Sequence, residues 1–336
     1  MRLLWAWIGV CALAGSAAAP ALADCKLFNQ AELSVRFARN QPLVEASVNG
    51  KPVWLLVDTG ASNSQLFGPA ADRLGLQKYQ TDKVFVGVGG QVQGYRARID
   101  NFALGKVNVK DFEIDIGGGA NFGGRVVRGD DREVVGVLGR SFLALVDVEF
   151  DLQHDKIRLF SPKDCAKTSL AYWTKEPDFV DMERDSKFAP FTVPVTVNGV
   201  SVGAILDSGA QTTVIDPRAA SRAGVDESKY DAETGKSAGI GNKIEVAHFG
   251  RFDKIIVGDE QVGNIRLRIS KLLTAETDTA GSRIASRNWY EMLVGADFLQ
   301  SHRVYIANSQ KRIYFTYEGG PVFGKVSTHA VDTPKP

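Results

Sequence analysis

Two four-residue strings decide how this chain folds: Asp58-Thr59-Gly60-Ala61 and Asp207-Ser208-Gly209-Ala210. They start 149 residues apart, and each directly follows an apolar, strand-like run, Trp54-Leu55-Leu56-Val57 in the first case and Ala204-Ile205-Leu206 in the second. An Asp at the end of an apolar strand is costly to bury by itself, because its charge loses the solvation of water. Two such turns that face each other can share one proton, which removes the charge conflict and creates an acid–base pair.

The context of each string is also repeated, which indicates a duplicated domain rather than a solenoid. Both halves carry, in the same order, an Asn-Gly turn, the Asp string, a Gly-rich stretch, an apolar-apolar-Gly string and a final strand-like segment. The copies are Val48-Asn49-Gly50 and Val197-Asn198-Gly199, Gly87-Val88-Gly89-Gly90 and Gly239-Ile240-Gly241-Asn242, Val137-Leu138-Gly139 and Leu293-Val294-Gly295, and residues 156–160 and 312–315. The apolar-apolar-Gly strings lie 156 residues apart, so the second half has seven additional residues, which we place in the polar stretch 274–288.

Strand patterns dominate both halves. Apolar alternation or β-branched runs bounded by Gly, Asn or Asp predict strands over 43–48, 53–57, 107–116 and 265–269. The Asn-Gly dipeptides are typical of tight turns between strands. Helical patterns are few and short, over 68–74, 141–145, 217–223 and 297–302. We therefore predict an all-β fold of two closed or sandwich-like lobes with a cleft between them.

These motifs resemble those of the two-lobed aspartic proteases of the pepsin and retropepsin superfamily, in their bacterial, retropepsin-like form. The Ala that ends each Asp string and the Gly87-Val88-Gly89-Gly90 stretch are similar to the retroviral enzymes, whereas the fused, duplicated layout is similar to pepsin. The resemblance covers about residues 40–317. It implies two homologous acid-protease-type β-barrel lobes, related by a pseudo-twofold axis, with few short helices.

The repeat and the ends of the chain suggest five segments. We expect a signal peptide over 1–23, an N-terminal aspartic protease lobe over 24–161, an interlobe connector over 162–190, a C-terminal lobe over 191–318 and a flexible tail over 319–336. The first segment combines Arg2, an apolar run and the small-x-small string Ala21-Leu22-Ala23, which is the pattern of a cleaved secretory signal. A membrane anchor would need about 20 apolar residues, which this stretch lacks. We therefore expect a periplasmic or secreted protein.

Composition limits the partners and cofactors. Without residues 1–23 the chain holds 39 basic and 39 acidic residues, so its charge gives no case for binding nucleic acid or an acidic membrane face. The two remaining cysteines, Cys25 and Cys165, predict one disulfide in an oxidising compartment, with lipidation of Cys25 or a free buried pair as alternatives. The four histidines show no metal-binding spacing, and no later stretch is long and apolar enough to cross a membrane. We expect no metal, no cofactor and no transmembrane segment.

The chemistry of peptide hydrolysis explains why two Asp residues are needed. Without a covalent intermediate, a base must activate water and an acid must protonate the leaving nitrogen. Two adjacent carboxyls supply both, because like charges so close cannot both ionise; aspartic proteases are the standard example. Asp58 and Asp207 are the expected catalytic pair, and they titrate as a unit. The resemblance implies that the hydroxyls of Thr59 and Ser208 cross between the lobes and bond the opposite backbone.

The residues that follow have supporting roles. The resemblance implies that Gly60 and Gly209 leave the carboxyl faces open and let backbone N–H groups approach. Ala61 and Ala210 stand where pepsin has Ser or Thr, so each carboxylate lacks an outer hydrogen bond that would favour its ionised form. We therefore expect the pKa values of the pair to lie above those of pepsin, with activity at mildly acidic to near-neutral pH.

A hairpin over the substrate is the last feature that the resemblance implies, since glycines let such a flap flex and approach a peptide backbone. The candidates for this flap and for substrate contact in the first lobe are Gly87, Gly89, Gly90 and Tyr95. An ordinary Gly-containing hairpin is the alternative. Of the two Gly-rich copies, the one over 239–242 in the second half is less expected to cover the substrate than the one in the first half.

Together these features predict an aspartic-type endopeptidase that acts as a monomer on a peptide or protein substrate, since one chain holds both halves of the pair. Two alternatives remain open: a non-catalytic peptide- or cell-wall-binding protein on the same fold, and a narrow-specificity processing protease. A decayed enzyme would have lost an Asp, its hydroxyl neighbour or a Gly, and both strings are complete.

Overall fold

The structure is a computed structural model that describes residues 25–87, 90–118, 132–182, 191–237, 244–272 and 290–324. These segments contain twenty strands and four short α-helices. The all-β prediction is therefore confirmed, and each predicted strand and helix overlaps one that is present. The expected signal peptide, the Gly-rich copy over 239–242 and the additional residues of 274–288 lie outside the described residues.

The first half begins with a long strand and contains two of the helices. Its strands are β1 (Lys26–Ala38), β2 (Gln41–Val48), β3 (Lys51–Val57), β4 (Gln65–Leu66), β5 (Lys78–Gly87), β6 (Gly90–Leu104), β7 (Val107–Ile116), β8 (Val134–Leu138), β9 (Asp147–Asp151) and β10 (Lys156–Lys163). Its helices are α1 (Gly68–Leu74) and α2 (Arg140–Leu143), and a 3₁₀ turn spans Leu152–His154.

The second half repeats this order after one strand from the expected connector, β11 (Asp178–Asp181). Its strands are β12 (Thr192–Val197), β13 (Val200–Leu206), β14 (Val214–Ile215), β15 (Gly235–Ser237), β16 (Glu245–Val257), β17 (Glu260–Ile269), β18 (Met292–Val294), β19 (His302–Ala307) and β20 (Arg312–Tyr317). Its helices are α3 (Pro217–Arg222) and α4 (Ala296–Ser301), and a 3₁₀ turn spans Glu227–Lys229.

Strand pairing shows that the two halves are copies of one lobe. In the first, β3 pairs in parallel with β8 and β4 with β7, while β2 pairs with both β3 and β6. In the second, β13 pairs in parallel with β18 and β14 with β17, while β12 pairs with both β13 and β16. The additional pairing closes each sheet on itself. The two-lobed, duplicated fold is therefore confirmed.

Both Asn-Gly dipeptides form the tight turns that the sequence predicts. Asn49 and Gly50 have φ values of 49° and 79°, and Asn198 and Gly199 have φ values of 48° and 82°. These left-handed conformations suit Asn and Gly, and they match the twist of the flanking strands. The first turn joins β2 to β3, and the second joins β12 to β13. Each turn therefore aligns the strand that leads to an Asp string.

A sheet shared by both halves holds the lobes together. Its order is β11-β20-β19-β9-β10-β1, and β9 pairs with β19 so that Val148 lies opposite Ile306. At one end of the β1–β10 pair, Cys25 and Cys165 form a disulfide with 4.5 Å between their Cα atoms. The final strands of the two halves are thus a common foundation, and the sulfur of Cys25 is already bonded.

The segments that border the lobes are packed where the structure describes them. In the expected connector, Trp173 Nε1 donates to Thr316 Oγ1 at 2.8 Å. In the expected tail, the Gly324 N–H donates to Asp297 Oδ2 at 3.0 Å, and the ring of Phe323 stacks on a core phenylalanine. Residues 183–190 and 325–336 lie outside the described residues. Among the helices that the structure does describe, none combines the length and apolarity needed to cross a bilayer.

Candidate active site

The two Asp strings meet where the central strands of the lobes end. β3 and β13 are apolar and buried toward their carboxyl ends, and they deliver Asp58 and Asp207 to the interface between the lobes. The Asp58 N–H donates to the carbonyl of Leu138 at 3.0 Å, and the Asp207 N–H donates to the carbonyl of Val294 at 2.8 Å. The apolar-apolar-Gly element of each half therefore fixes the point at which its Asp leaves the strand.

Each carboxylate is held by its own turn. Asp58 Oδ1 accepts from the backbone N–H groups of Gly60 and Ala61 at 3.0 and 2.9 Å. Asp207 Oδ1 accepts from the matching N–H groups of the second turn at 2.9 and 3.1 Å. The two turns therefore hold their carboxylates through the same atom and the same pair of N–H groups.

The glycines of the strings give each carboxylate room against the opposite turn. A Cβ at Gly60 would lie 2.5 Å from Cγ of Asp207, and a Cβ at Gly209 would lie 2.5 Å from both carboxylate oxygens of Asp58. Atoms that are not bonded to each other do not approach so closely, so a side chain at either position would push the carboxylate away. Glycine is required here for close approach.

The two carboxyl groups form one ionisable unit. Burial raises the pKa of Asp58, and burial together with the negative charge of Asp58 raises the pKa of Asp207 well above its ordinary value. The N–H groups of each turn act in the opposite direction but do not cancel this effect. Each carboxyl lies against the opposite turn and acts on the pKa of the other, and two carboxyls in this arrangement are stable together when one of them holds a proton. The pair is thus one acid beside one base.

Beneath the carboxyls, two buried hydroxyls cross-link the lobes reciprocally. Thr59 Oγ1 donates to the Leu206 carbonyl at 2.7 Å and accepts from the Ser208 N–H at 2.9 Å. Ser208 Oγ donates to the Val57 carbonyl at 2.7 Å and accepts from the Thr59 N–H at 3.0 Å. Both side chains are fully buried. This network places the hydroxyls in the positions that the resemblance implies for them.

The first-lobe hairpin that carries the flap candidates is present as β5 and β6. Gly87 pairs with Gly90 at its end, and Gly90 has a φ of 108°. Tyr95 lies lower on the same hairpin, opposite Gln80, where its half-buried ring packs against the core. Gly89 lies outside the described residues. The role of this hairpin as a substrate flap stays a prediction.

Two further side chains near the pair carried no signal in the sequence. Tyr290 packs against the same small apolar cluster as Ala210, and its pKa is raised to about 12, mainly by burial and also by the charge of Asp207. Arg140 is buried directly after the first apolar-apolar-Gly string, and burial lowers its pKa to about 10. Arg140 is not repeated, because the other half has Ala296 in its place. Tyr290 lies ahead of the string Leu293-Val294-Gly295 and belongs to no repeated motif.

One group of potential metal ligands occurs in the described segments, away from the pair. The ligand atoms of Asp151, His154 and Glu318 lie within 4.8 Å of one another. Asp151 already accepts from Arg158 at 2.9 Å and contacts His154 at 2.5 Å. The guanidinium of Arg158 already brings a positive charge to the Asp151 carboxylate, so this group has the chemistry of an ion-pair network.

Comparisons with known proteins place this sequence in a family. A family model described as aspartyl protease matches residues 44–142 and 193–298, which include both Asp strings. Among solved structures, the aspartic proteinase from Irpex lacteus is similar with a TM-score of 0.46 and 13% sequence identity, over 85% of this chain and 97% of that chain. No curated protein matches the sequence. With a family model matching both halves over most of the chain, the protein belongs to the aspartyl protease family.

Proposed function

We propose that this protein is an aspartic endopeptidase in which Asp58 and Asp207 activate a water molecule against a peptide bond. The observation that carries this proposal is the placement of two buried carboxyls against each other's turns, where the pKa of each is raised. A structural ion pair would join opposite charges. Two carboxyls held together at a lobe interface cost stability, and catalysis is the function that such an arrangement serves.

The residues divide the reaction between them as follows. The ionised carboxyl takes a proton from water while the oxygen of that water bonds to the peptide carbonyl carbon, and the protonated carboxyl donates to the carbonyl oxygen. The carbon–nitrogen bond then breaks. The leaving nitrogen takes a proton from one carboxyl, and one hydroxyl of the tetrahedral intermediate becomes the carbonyl of the new acid by returning its proton to the other carboxyl. Thr59 and Ser208 hold both turns in register throughout, and no covalent bond to the protein forms.

The substrate class, oligomeric state and location of the protein are part of the same proposal. We propose that it acts on a peptide or protein substrate as a monomer, because both carboxyls come from one chain. We also propose that residues 1–23 direct it to the periplasm or outside the cell, where a disulfide between Cys25 and Cys165 is stable. Extraction of the protein from separated cell compartments tests this location.

The central experiment offers the chain from residue 24 onward a diverse peptide library between pH 3 and pH 8. Cleavage sites are read by mass spectrometry, and Asp58→Asn and Asp207→Asn serve as matched variants. We expect the wild type to cleave, with activity that extends above pH 4, and each variant to lose at least about 1,000-fold in rate, since each lacks half of the acid–base pair.

Cleavage that survives either substitution would point to another catalyst. Cleavage by none of the three proteins, with each still folded by circular dichroism, would favour a peptide-binding protein on the same fold. Cleavage of a single peptide motif would identify a narrow processing protease. A wild-type optimum found only below about pH 3 would contradict the raised pKa of the pair.

A further inference from the structure

The turn between β1 and β2 reaches from the first lobe to the catalytic turn of the second. Arg39, in a left-handed conformation with a φ of 60°, begins this turn and is followed by Asn40 and by Gln41, the first residue of β2. Asn40 and Gln41 are polar side chains that are 1% and 3% exposed. Buried amides must find hydrogen-bond partners. Here the partners described for their side chains belong to the second lobe.

These contacts all fall on the residues just after Asp207. Asn40 Nδ2 donates to the Gln211 carbonyl at 2.8 Å, and Gln41 Nε2 donates to the Gly209 carbonyl. Gln211 Nε2 in turn donates to Gln41 Oε1 at 3.3 Å, while Arg39 Nη1 donates to Gln211 Oε1 at 3.0 Å. We call Arg39, Asn40, Gln41 and Gln211 the cross-lobe clamp.

Gly209 is the point where the clamp meets the catalytic pair. Its N–H donates to Asp207 Oδ1 at 2.9 Å, and its Cα faces the carboxylate of Asp58, where there is no room for a Cβ. Its carbonyl, on the other side, accepts from Gln41. A displacement of Gly209 would therefore move one carboxylate and change the space around the other.

The clamp complements the hydroxyl network. Thr59 and Ser208 fix the backbone at residues 206 and 208, ahead of Gly209. The clamp fixes residues 209 and 211, which come after the network ends. We propose that Gln41 is a positioning residue that holds the second catalytic turn against the first and so sets the contact between the two carboxyls. This inference rests on the proposed function for its effect on rate.

The test compares Gln41→Met with Gln310→Met. Met has nearly the shape of Gln but makes none of its hydrogen bonds. Gln310 is a matched control, because its amide also donates to backbone, at the carbonyls of Cys165 and Thr168, and accepts from a side chain, Tyr314, but it lies in the turn between β19 and β20. Steady-state kinetics uses the best-cleaved peptide of the library. We expect kcat to fall about 10- to 100-fold in Gln41→Met with a smaller change in KM, and to stay within twofold in Gln310→Met.

A titration of the carboxyl carbons gives a readout that does not need activity. With ¹³C-labelled Asp, the signals of the pair are identified by their loss in Asp58→Asn and Asp207→Asn. We expect Gln41→Met to lower the pKa of Asp207 toward its ordinary value, because a looser turn admits water and separates the charges. The control should leave it unchanged. This measurement needs only folded protein, so it decides the role of Gln41 even if the wild type cleaves no peptide. A wild type that cleaves no peptide would contradict the proposed function but would leave this test of Gln41 intact.

Unchanged titration and unchanged kcat in folded Gln41→Met would overturn the proposal. So would equal losses in Gln41→Met and Gln310→Met, because that result would mean a general loss of stability. If Gln41→Met does not fold, Gln211→Met removes the bonds to Gln41 and Arg39 at a half-buried site. It should shift the titration in the same direction by a smaller amount, and no shift there would equally reject the clamp.

Discussion

At the scale of single residues, the close approach of the two lobes explains why each Asp string contains a hydroxyl residue and a glycine. A carboxylate from the opposite lobe lies over each glycine, so a larger residue would separate the pair. Thr59 and Ser208 are fully buried and each exchanges two hydrogen bonds across the interface. A hydroxyl group both donates and accepts hydrogen bonds, which is why both lobes have a hydroxyl side chain at this position.

The substitution Gly60→Ala tests close approach directly. The new methyl would lie 2.5 Å from Cγ of Asp207, so one of the two groups must shift. We expect peptide hydrolysis to fall at least about 100-fold and the free energy of unfolding to fall by about 1–3 kcal/mol. Rates come from peptide cleavage and stability from urea denaturation.

Gly263→Ala is the matched control, because its new methyl would meet only the Asp253 carbonyl, at an ordinary 3.5 Å. It should change both quantities little. If Gly60→Ala behaves like this control, the carboxyls do not depend on the space above glycine.

At the scale of elements, the hairpins that precede the catalytic strands are fixed by their turns. Asn198 has a φ of 48°, and its Oδ1 accepts from the N–H groups of Asp253 and Lys254 at 2.9 and 3.0 Å. The side chain therefore ties the β12–β13 turn to β16, which is the strand that closes the lobe on itself. The turn contributes to closure of the lobe as well as to the register of the hairpin.

Asn198→Ala should lower the free energy of unfolding by about 1–3 kcal/mol, because two backbone donors lose their partner and Ala is strained at positive φ. Equilibrium urea unfolding measures the loss. Asn198→Asp keeps the acceptor and tolerates this conformation, so it should lose less. A loss as large in Asn198→Asp as in Asn198→Ala would show that the bond to Asp253 and Lys254 is unimportant.

At the scale of the whole molecule, the interface between the lobes is built in layers. The shared sheet forms the foundation, the hydroxyl network lies beneath the cleft, and the paired carboxyls lie above it. Separation of the lobes would break all three. The protonation of the pair is therefore linked to the stability of the folded chain.

This linkage predicts a pH dependence with a definite sign. The raised pKa of Asp207 means that the native state binds more protons than the unfolded chain once the pH exceeds the ordinary value of 3.8. The contribution of the pair to stability is thus largest below that value and is lost as pH rises toward the native pKa. In Asp207→Asn this loss should shrink, so the variant should gain stability relative to wild type between pH 4 and pH 7.

Urea denaturation of both proteins at each pH unit measures this difference. Asp147 and Asp297 also have raised pKa values through burial, but they are common to both proteins and largely cancel. Stability curves that run parallel from pH 4 to pH 7 would show that Asp207 has an ordinary pKa in the native state.

The sequence by itself determined the all-β class, the duplication, the Asn-Gly turns and the two Asp strings. Each of these is encoded in a few adjacent residues, by apolar alternation, turn chemistry or a repeated motif, so local rules suffice to find it. The identity of the acidic pair followed because one motif occurred twice in matching contexts. The flap and the boundaries of the five segments stay predictions.

Only the tertiary structure decided which distant groups meet. Three contacts join parts of the chain that are more than 80 positions apart. They are the hydrogen bond from Gln41 to Gly209, the proximity of Tyr290 to Asp207 and the pairing of β9 with β19. A single polar side chain has no periodicity, and its partner depends on how the lobes pack. The physical reason is that a buried amide or carboxyl needs a hydrogen-bond partner, and only the folded chain brings that partner within hydrogen-bonding distance.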